Sequence, residues 1–193
     1  RQMFHPASFY TEKMLVLASQ SPRRAEILRQ AGIPFTVRAA SVDEAPRAGE
    51  SPVEYVRRLA ALKAQAVPAS DAEIVLGADT TVVVGNEMLG KPADAADASR
   101  MLALLSGRRH EVITGICLRR GDGDSFCGHA VTAVWFAALA AREIEDYVAS
   151  GEPMDKAGAY AIQGLASKFI ERIEGCYFNV VGLPVALVYA HLR

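Results

Sequence analysis

The sequence predicts an α/β protein, a mixed sheet flanked by helices and divided into two lobes around a cleft. Three observations lead to it. Met14-Leu15-Val16-Leu17-Ala18 is a continuous apolar run of strand length that passes through a short polar loop into an amphipathic helix. Strand-like and helix-like segments then alternate through the first half of the chain, the pattern of a sheet covered by helices. The second half opens with two long β runs, Glu111 to Arg119 and Phe126 to Phe136, joined by Gly121-Asp122-Gly123-Asp124. Such a hairpin adds antiparallel strands to the sheet.

The remaining elements follow in order. Ser21 as N-cap and Pro22 at the first helical position start a helix with Ala25, Ile27, Leu28 and Ala31 on its apolar face, stopped at Gly32. Phe35 to Ala39 reads as a second strand. Ser51-Pro52-Val53-Glu54 is a capping box, which opens a helix through Val56, Leu59, Ala60 and Lys63. Glu73 to Ala78 and Thr81 to Val84 read as separate strands, with a Gly85-Asn86 turn before Glu87 to Leu89. Helices are expected over Asp94 to Ser106 and Ala141 to Ser150, a strand over Phe169 to Ile173, and a closing helix from Pro184 to His191. Residues 1–13 lack periodicity and read as an extension or a remnant of cloning, leaving residues 14–193 as a single domain.

Composition narrows the function. The chain has 193 residues, 51% of them hydrophobic, enough for one sizeable core or two small lobes. With 21 basic and 22 acidic side chains the net charge is -1, so no global field draws the protein to nucleic acid or to a membrane surface. The apolar runs fall far short of the ~20 residues a bilayer needs. Cys117, Cys127 and Cys176 are odd in number and lack CxxC spacing, which argues against a disulfide framework and a zinc site and fits a reducing cytoplasm. His5, His110, His129 and His191 show no ligand spacing and are assigned to surface or sheet positions.

Several groups can carry chemistry. Ser19-Gln20-Ser21-Pro22-Arg23-Arg24 puts two hydroxyls and two guanidiniums at a helix N-terminus, where free N–H groups and the helix dipole favour an anion. A plain Ser-Pro cap with two solvated arginines explains the same residues. Asp79 abruptly ends an apolar strand, the position at which open α/β sheets hold ligands. Asp43-Glu44, taken alone, reads as a solvated acidic loop, and Lys63 and Lys91 as surface lysines. Gly85 to Pro92 nearly forms a Walker A loop, but Pro92 stands where its hydroxyl residue must be. The segment Gly151 to Gly164 is too rich in glycine and polar groups for a regular element, as loops lining a site often are. Asn179 to Pro184 reads as a plain loop into the last helix.

Eight of these stretches together resemble the Maf (septum-formation inhibitor) proteins in order and spacing. They are Ser19 to Arg24, Asp43-Glu44, Lys63-Ala64, Gly77 to Thr80, Gly90-Lys91-Pro92, Leu105 to Gly107 with His110 and Thr114-Gly115, Asp155 to Gly158, and Asn179 to Pro184. The resemblance implies an elongated mixed α/β sheet with a cleft, related to the inosine-triphosphate pyrophosphatases, and hydrolysis of nucleoside triphosphates to monophosphate and pyrophosphate. Ala159 to Gly164 looks like the subfamily acting on dTTP and UTP, since the 7-methyl-GTP subfamily is expected to carry Glu in place of Gln163. Cys176-Tyr177-Phe178 departs from the commoner pattern, at no residue assigned to catalysis.

On this resemblance the triphosphate is held by Ser19, Ser21, Arg23 and Arg24, with Lys63 and Lys91 neutralising further charge. Glu44 and Asp79 bind Mg²⁺, for which Mn²⁺ or Co²⁺ could substitute, and Asp79 is the favoured acid/base residue. Thr80 and Gln163 face the base, the glutamine amide matching the N3–H and carbonyl that uracil and thymine share. Modified pyrimidine nucleotides fit equally. The resemblance also implies a homodimer, and composition points to a cytoplasmic protein that binds neither nucleic acid nor membrane. A 7-methyl-GTP-type enzyme and a non-catalytic, nucleotide-binding regulator of cell division remain the alternatives.

Overall fold

The computed structural model describes residues 13–39, 41–121 and 123–193. The N-terminal extension up to residue 12 and Asp122 of the hairpin turn lie outside the described residues.

Among the described residues seven strands form one mixed sheet. They are β1 (Met14–Ala18), β2 (Phe35–Val37), β3 (Glu73–Val84), β4 (Glu87–Leu89), β5 (Arg109–Arg120), β6 (Ser125–Phe136) and β7 (Ile170–Glu174), in the order β2-β1-β3-β5-β6-β7 with β4 beside β3. β1 pairs in parallel with β2 and β3, and the other pairings are antiparallel. Among the described residues six α-helices accompany them: α1 (Pro22–Gln30), α2 (Pro52–Gln65), α3 (Ala95–Leu105), α4 (Ala141–Ala149), α5 (Tyr177–Val181) and α6 (Val185–Leu192).

The long strands β3 and β5 run through two cores. At one end the sheet is covered on both faces, and alternation divides the side chains between them. Leu15 and Leu17 join Ile27, Leu28, Leu183 and Val188 on the face of α1 and α6. Val16 and Ala18 join Ala60, Ala64 and Val67 on the face of α2. At the other end Val82, Val84 and Val112 pack with Leu102, Leu105, Phe136 and Tyr147 beneath α3 and α4. These are the two lobes.

Local signals explain the helix ends. Ser51 and Glu54 form the expected capping box at α2, and Asp94 accepts from the Asp97 N–H at the start of α3. α2 lies so close to the sheet that a Cβ on Gly77 would collide with the Ala60 carbonyl, and one on Gly115 with that of Val56. Glycine is required there by contact between backbones.

The structure corrects several expectations. The two strands expected on either side of Asp79 are one, because β5 pairs without interruption from Ile74 to Val83. Asp79 is therefore inside a strand. β1, however, pairs only as far as Gly77, and β4 begins at Val82. Asp79 thus still lies at the end of the parallel part. Asn179 belongs to the short helix α5 and not to a plain loop. Cys117 and Cys127 are disulfide-bonded. Counting cysteines missed this, because the hairpin register sets the two residues directly opposite each other.

His110 does lie on a strand, but it is 1% exposed. Its Nε2 meets the Tyr160 hydroxyl at 2.8 Å, with Phe136 edge-on to the ring. Burial pushes the imidazole down to about 4. The native state therefore keeps it neutral, whereas the unfolded chain takes up a proton below about 6.5. Stability should be fully present above that value and fall by about 3 kcal/mol as the pH drops towards 4. His110→Gln, which can still bond Tyr160, should flatten this loss in urea unfolding between pH 7 and 4. An equally steep fall in the variant would assign the effect to other groups.

Candidate active site

The edge of β3 between the end of β1 and the start of β4 opens into a cleft of about 700 Å³, within the range of small-molecule sites. Its lining includes all ten candidates: Ser19, Ser21, Arg23, Arg24, Glu44, Lys63, Asp79, Thr80, Lys91 and Gln163. The first lobe supplies residues 19–24, 44 and 63. The second supplies Lys91 and the 155–163 segment.

The charged centre is the least expected part. Lys63, on the last turn of α2, is buried, and its Nζ lies 2.7 Å from both Asp79 Oδ1 and Glu44 Oε1. Read alone, this lysine looked like a surface residue, and its place in the core follows from the close seat of α2 on Gly77. Asp79 is 7% exposed, and burial raises its carboxyl above the usual range, against the opposing pull of Lys63. Glu44 has a half-exposed side chain. Its loop is tied to α2 by the Tyr55 hydroxyl donating to the Glu44 carbonyl at 3.0 Å and by Arg58 donating to the Ala45 carbonyl at 3.1 Å. Burial, then the charges of Asp79 and Glu44, push the Tyr55 phenol up to about 12.

Arg24 is placed differently from Arg23. Its Nε donates to the Gly182 carbonyl at 2.8 Å, one terminal nitrogen to Ser19 Oγ at 3.1 Å and the Ala78 carbonyl at 2.9 Å, and the other to Thr80 Oγ1 at 3.0 Å. Four of its five N–H groups are thus spent inside the protein. Desolvation lowers its pKa, with Asp79 acting in the opposite sense. Arg23 remains partly exposed and faces Asp155 across the cleft at 3.4 Å. Ser19 Oγ, besides meeting Arg24, accepts from the Ser21 N–H at 3.2 Å, so the Ser21 side chain itself does not cap α1.

Thr80 continues the network. Its hydroxyl is 2.9 Å from that of Thr114, which donates to the Asn179 carbonyl at 3.2 Å. The Asn179 side chain is fully buried and donates to the Val112 carbonyl at 2.9 Å and to Thr132 Oγ1 at 3.0 Å. These bonds fix α5 against the sheet and aim Gly182 at Arg24. Gln163 is exposed on the opposite wall. Glu152 straps that wall by accepting from the Tyr147 hydroxyl at 2.8 Å and the Leu165 N–H at 3.0 Å. Lys91 stands exposed on the rim after β4.

Tyr55, Asp155 and Lys156 also line the cleft and were not singled out for a role from the sequence. The polar, glycine-rich composition of 151–164 marked that loop without ranking its residues. Tyr55 gives no such signal, because an aromatic residue on an amphipathic helix reads as core.

Two carboxylates thus converge on one cation, Lys63, in a cleft that also holds the N-terminus of α1 and the partly exposed Arg23. Residues 14–193 match the family described as Maf-like protein, and the chain belongs to that family. Among its relatives, the protein named dTTP/UTP pyrophosphatase of Anaeromyxobacter dehalogenans (strain 2CP-C) is 54% identical over 182 residues, covering 93% of this chain and 92% of the relative. The protein of the same name from Symbiobacterium thermophilum is 56% identical over 174 residues, covering 90% and 89%. Among solved structures, the Staphylococcus aureus Ham1 protein is similar at 16% identity with a TM-score of 0.46, covering 65% of this chain and 72% of that one.

The bonds of Arg24 lead to a test. Arg24→Lys keeps the charge, but one ammonium cannot reach four acceptors on separate segments. It should lower the unfolding free energy by about 2–4 kcal/mol in urea and weaken triphosphate binding along with it. If its unfolding curve matches wild type while binding is lost, Arg24 acts by direct contact with phosphate.

Proposed function

We propose that the protein hydrolyses dTTP and UTP, and modified pyrimidine nucleotides of the same shape, to the nucleoside monophosphate and pyrophosphate. The observation that carries this reading is the meeting of Lys63, Asp79 and Glu44 in the same cleft as the Ser19 to Arg24 loop. The activity named for relatives more than 50% identical over most of the chain supports it.

In this reading the triphosphate lies along the N-terminus of α1. The free N–H groups of the first turn, Ser21 and Arg23 receive phosphate oxygens, and Lys91 neutralises charge from the rim. Arg23 exchanges Asp155 for phosphate. Arg24 holds the floor in shape, linking the loop after β1, the middle of β3 and the turn after α5. Asp79, buried beside Lys63, takes a proton from the attacking water. Lys63 holds Asp79 in place and supplies positive charge beside the α-phosphorus. Water enters in line and pyrophosphate leaves, with positioning and charge supplying most of the rate.

Glu44 and Asp79 would hold a divalent cation. Two carboxylate oxygens, completed by water and phosphate, match the habits of Mg²⁺. The Glu44 side chain, exposed and on a loop, can adjust to it. Bound there, the metal would supply charge neutralisation and lower the pKa of its water. The gap between the lobes orders the nucleotide, with triphosphate at the first lobe and base towards the 160–163 wall. Gln163 is the base reader there, whereas the Thr80 hydroxyl is already bonded to Arg24 and Thr114 and serves the floor.

Asp79→Asn and Glu44→Gln should each lower turnover by about 10²-fold or more in a pyrophosphate-release assay with Mg²⁺, while the folded fraction stays high. Near-normal turnover in either variant would remove that residue from the mechanism, and a lack of release by wild type on every nucleotide would favour a nucleotide-binding regulator.

Base choice is tested separately. A buried mismatch costs ~1–3 kcal/mol, so kcat/KM for UTP and dTTP should exceed that for CTP, ATP and GTP by roughly 10- to 100-fold. Gln163→Glu should erode the preference. An equal loss on all nucleotides would make Gln163 a loop anchor, and a wild-type preference for 7-methyl-GTP would overturn the pyrimidine assignment.

A further inference from the structure

The proposed chemistry does not use the bond between Cys117 and Cys127. The two residues are partners in the β5–β6 ladder, and their sulfurs are joined across it. They differ in access. Cys117 is 3% exposed and packs with Ala60, Ala64 and Val67 beneath α2. Cys127 is half-buried and lines a second, open depression of about 550 Å³.

That depression is rich in guanidinium groups. Arg47 comes from the loop before α2, and Arg57 and Arg58 from α2 itself. Arg57 donates to the Cys127 carbonyl at 3.2 Å, which places its charge beside the sulfur-bearing residue. Two acids, Glu50 and Glu54, share the same wall. Glu50 is held by Arg58 at 2.5 and 2.7 Å, and Glu54 closes the capping box with Ser51. Arg58 and Glu50 offset each other, and the exposed Arg47 and Arg57 outnumber the exposed Glu54, which leaves the rim a net positive sign.

We propose that Cys127 is a thiol-exchange site for small thiols that carry carboxylates. The incoming thiolate attacks Cys127 Sγ, the bond to Cys117 breaks, and Cys117 leaves as a thiolate that takes a proton from water. One disulfide replaces another, so the step needs no oxidant or reductant beyond the thiol itself. Access selects the sulfur attacked, since only Cys127 opens on the depression. Charge selects the thiol, because the arginine rim concentrates anions. Once expelled, Cys117 sits among apolar groups that disfavour its thiolate, which slows return of the original bond.

The probes are glutathione, an anionic thiol, and cysteamine, a cationic one. Each is added to the full chain purified without reductant, quenched with acid at intervals and located by peptide mass spectrometry. The adduct is expected at Cys127, and the ratio of glutathione to cysteamine rates should fall roughly ten-fold in Arg47→Gln/Arg57→Gln and in high salt. Cys117→Ser leaves Cys127 as a free thiol, which should show the same charge preference towards glutathione disulfide over cystamine. First modification at Cys117 or Cys176, a ratio unmoved by the arginine changes, or free thiols at both Cys117 and Cys127 before any thiol is added would each overturn the proposal.

Discussion

The buried guanidinium of Arg24 is the interaction on which the site depends. It reaches four separate places in the chain: the loop after β1, two positions in the middle of β3, and the turn between α5 and α6. Those segments are brought together from distances of up to 158 residues. Burying a charge is costly unless its polar contacts are supplied, and here two backbone carbonyls and two hydroxyls take four of the five N–H groups. The carbonyl of Ala78 is available because β1 has already stopped and β4 has not yet started along that edge of β3. A break in strand pairing thus becomes an acceptor for the residue that shapes the pocket floor.

From this floor the charges are layered by depth. Asp79 and Lys63 are buried and close together, so their attraction is little screened. Glu44 and Arg23 lie nearer the solvent and can change partners at small cost. In the proposed reading the deep pair keeps its geometry while the outer groups adjust to a ligand. The chain of hydroxyls and amides through Thr80, Thr114, Asn179 and Thr132 carries the same order into the second lobe.

Much of this was legible in the sequence, for identifiable reasons. Strand β1, the start of α1 and the capped α2 carry strong local signals, and each lies within a residue or two of its expected place. The candidate residues were found because short motifs recur in order, and the structure gathers them in one cleft. What could not be read depends on contacts between distant segments. The unbroken β3 is a product of pairing with β5, and an Asp followed by threonines gives no local hint of it. The burial of Lys63 arises from the seat of its helix. The bonded cysteines follow from hairpin register, which no count of residue types contains. The division of labour between Arg23 and Arg24, adjacent and identical in type, appears only when the acceptors around each are seen.

The seat of α2 has a mechanical consequence. At Gly77 and Gly115 the helix rests on the sheet backbone to backbone, with no side chain between them to change rotamer or absorb a displacement. Such a contact is stiff, and Lys63 at the end of the helix inherits that stiffness. The opposite wall is made of the short 3-10 turns Glu152–Asp155 and Ala157–Ala159 and the irregular chain that follows them to Gln163. The cleft therefore has one wall that acts as a fixed datum and one that can be recut. In the proposed reading, substitutions on the second wall can alter which base is held without moving Lys63 and Asp79 on the first.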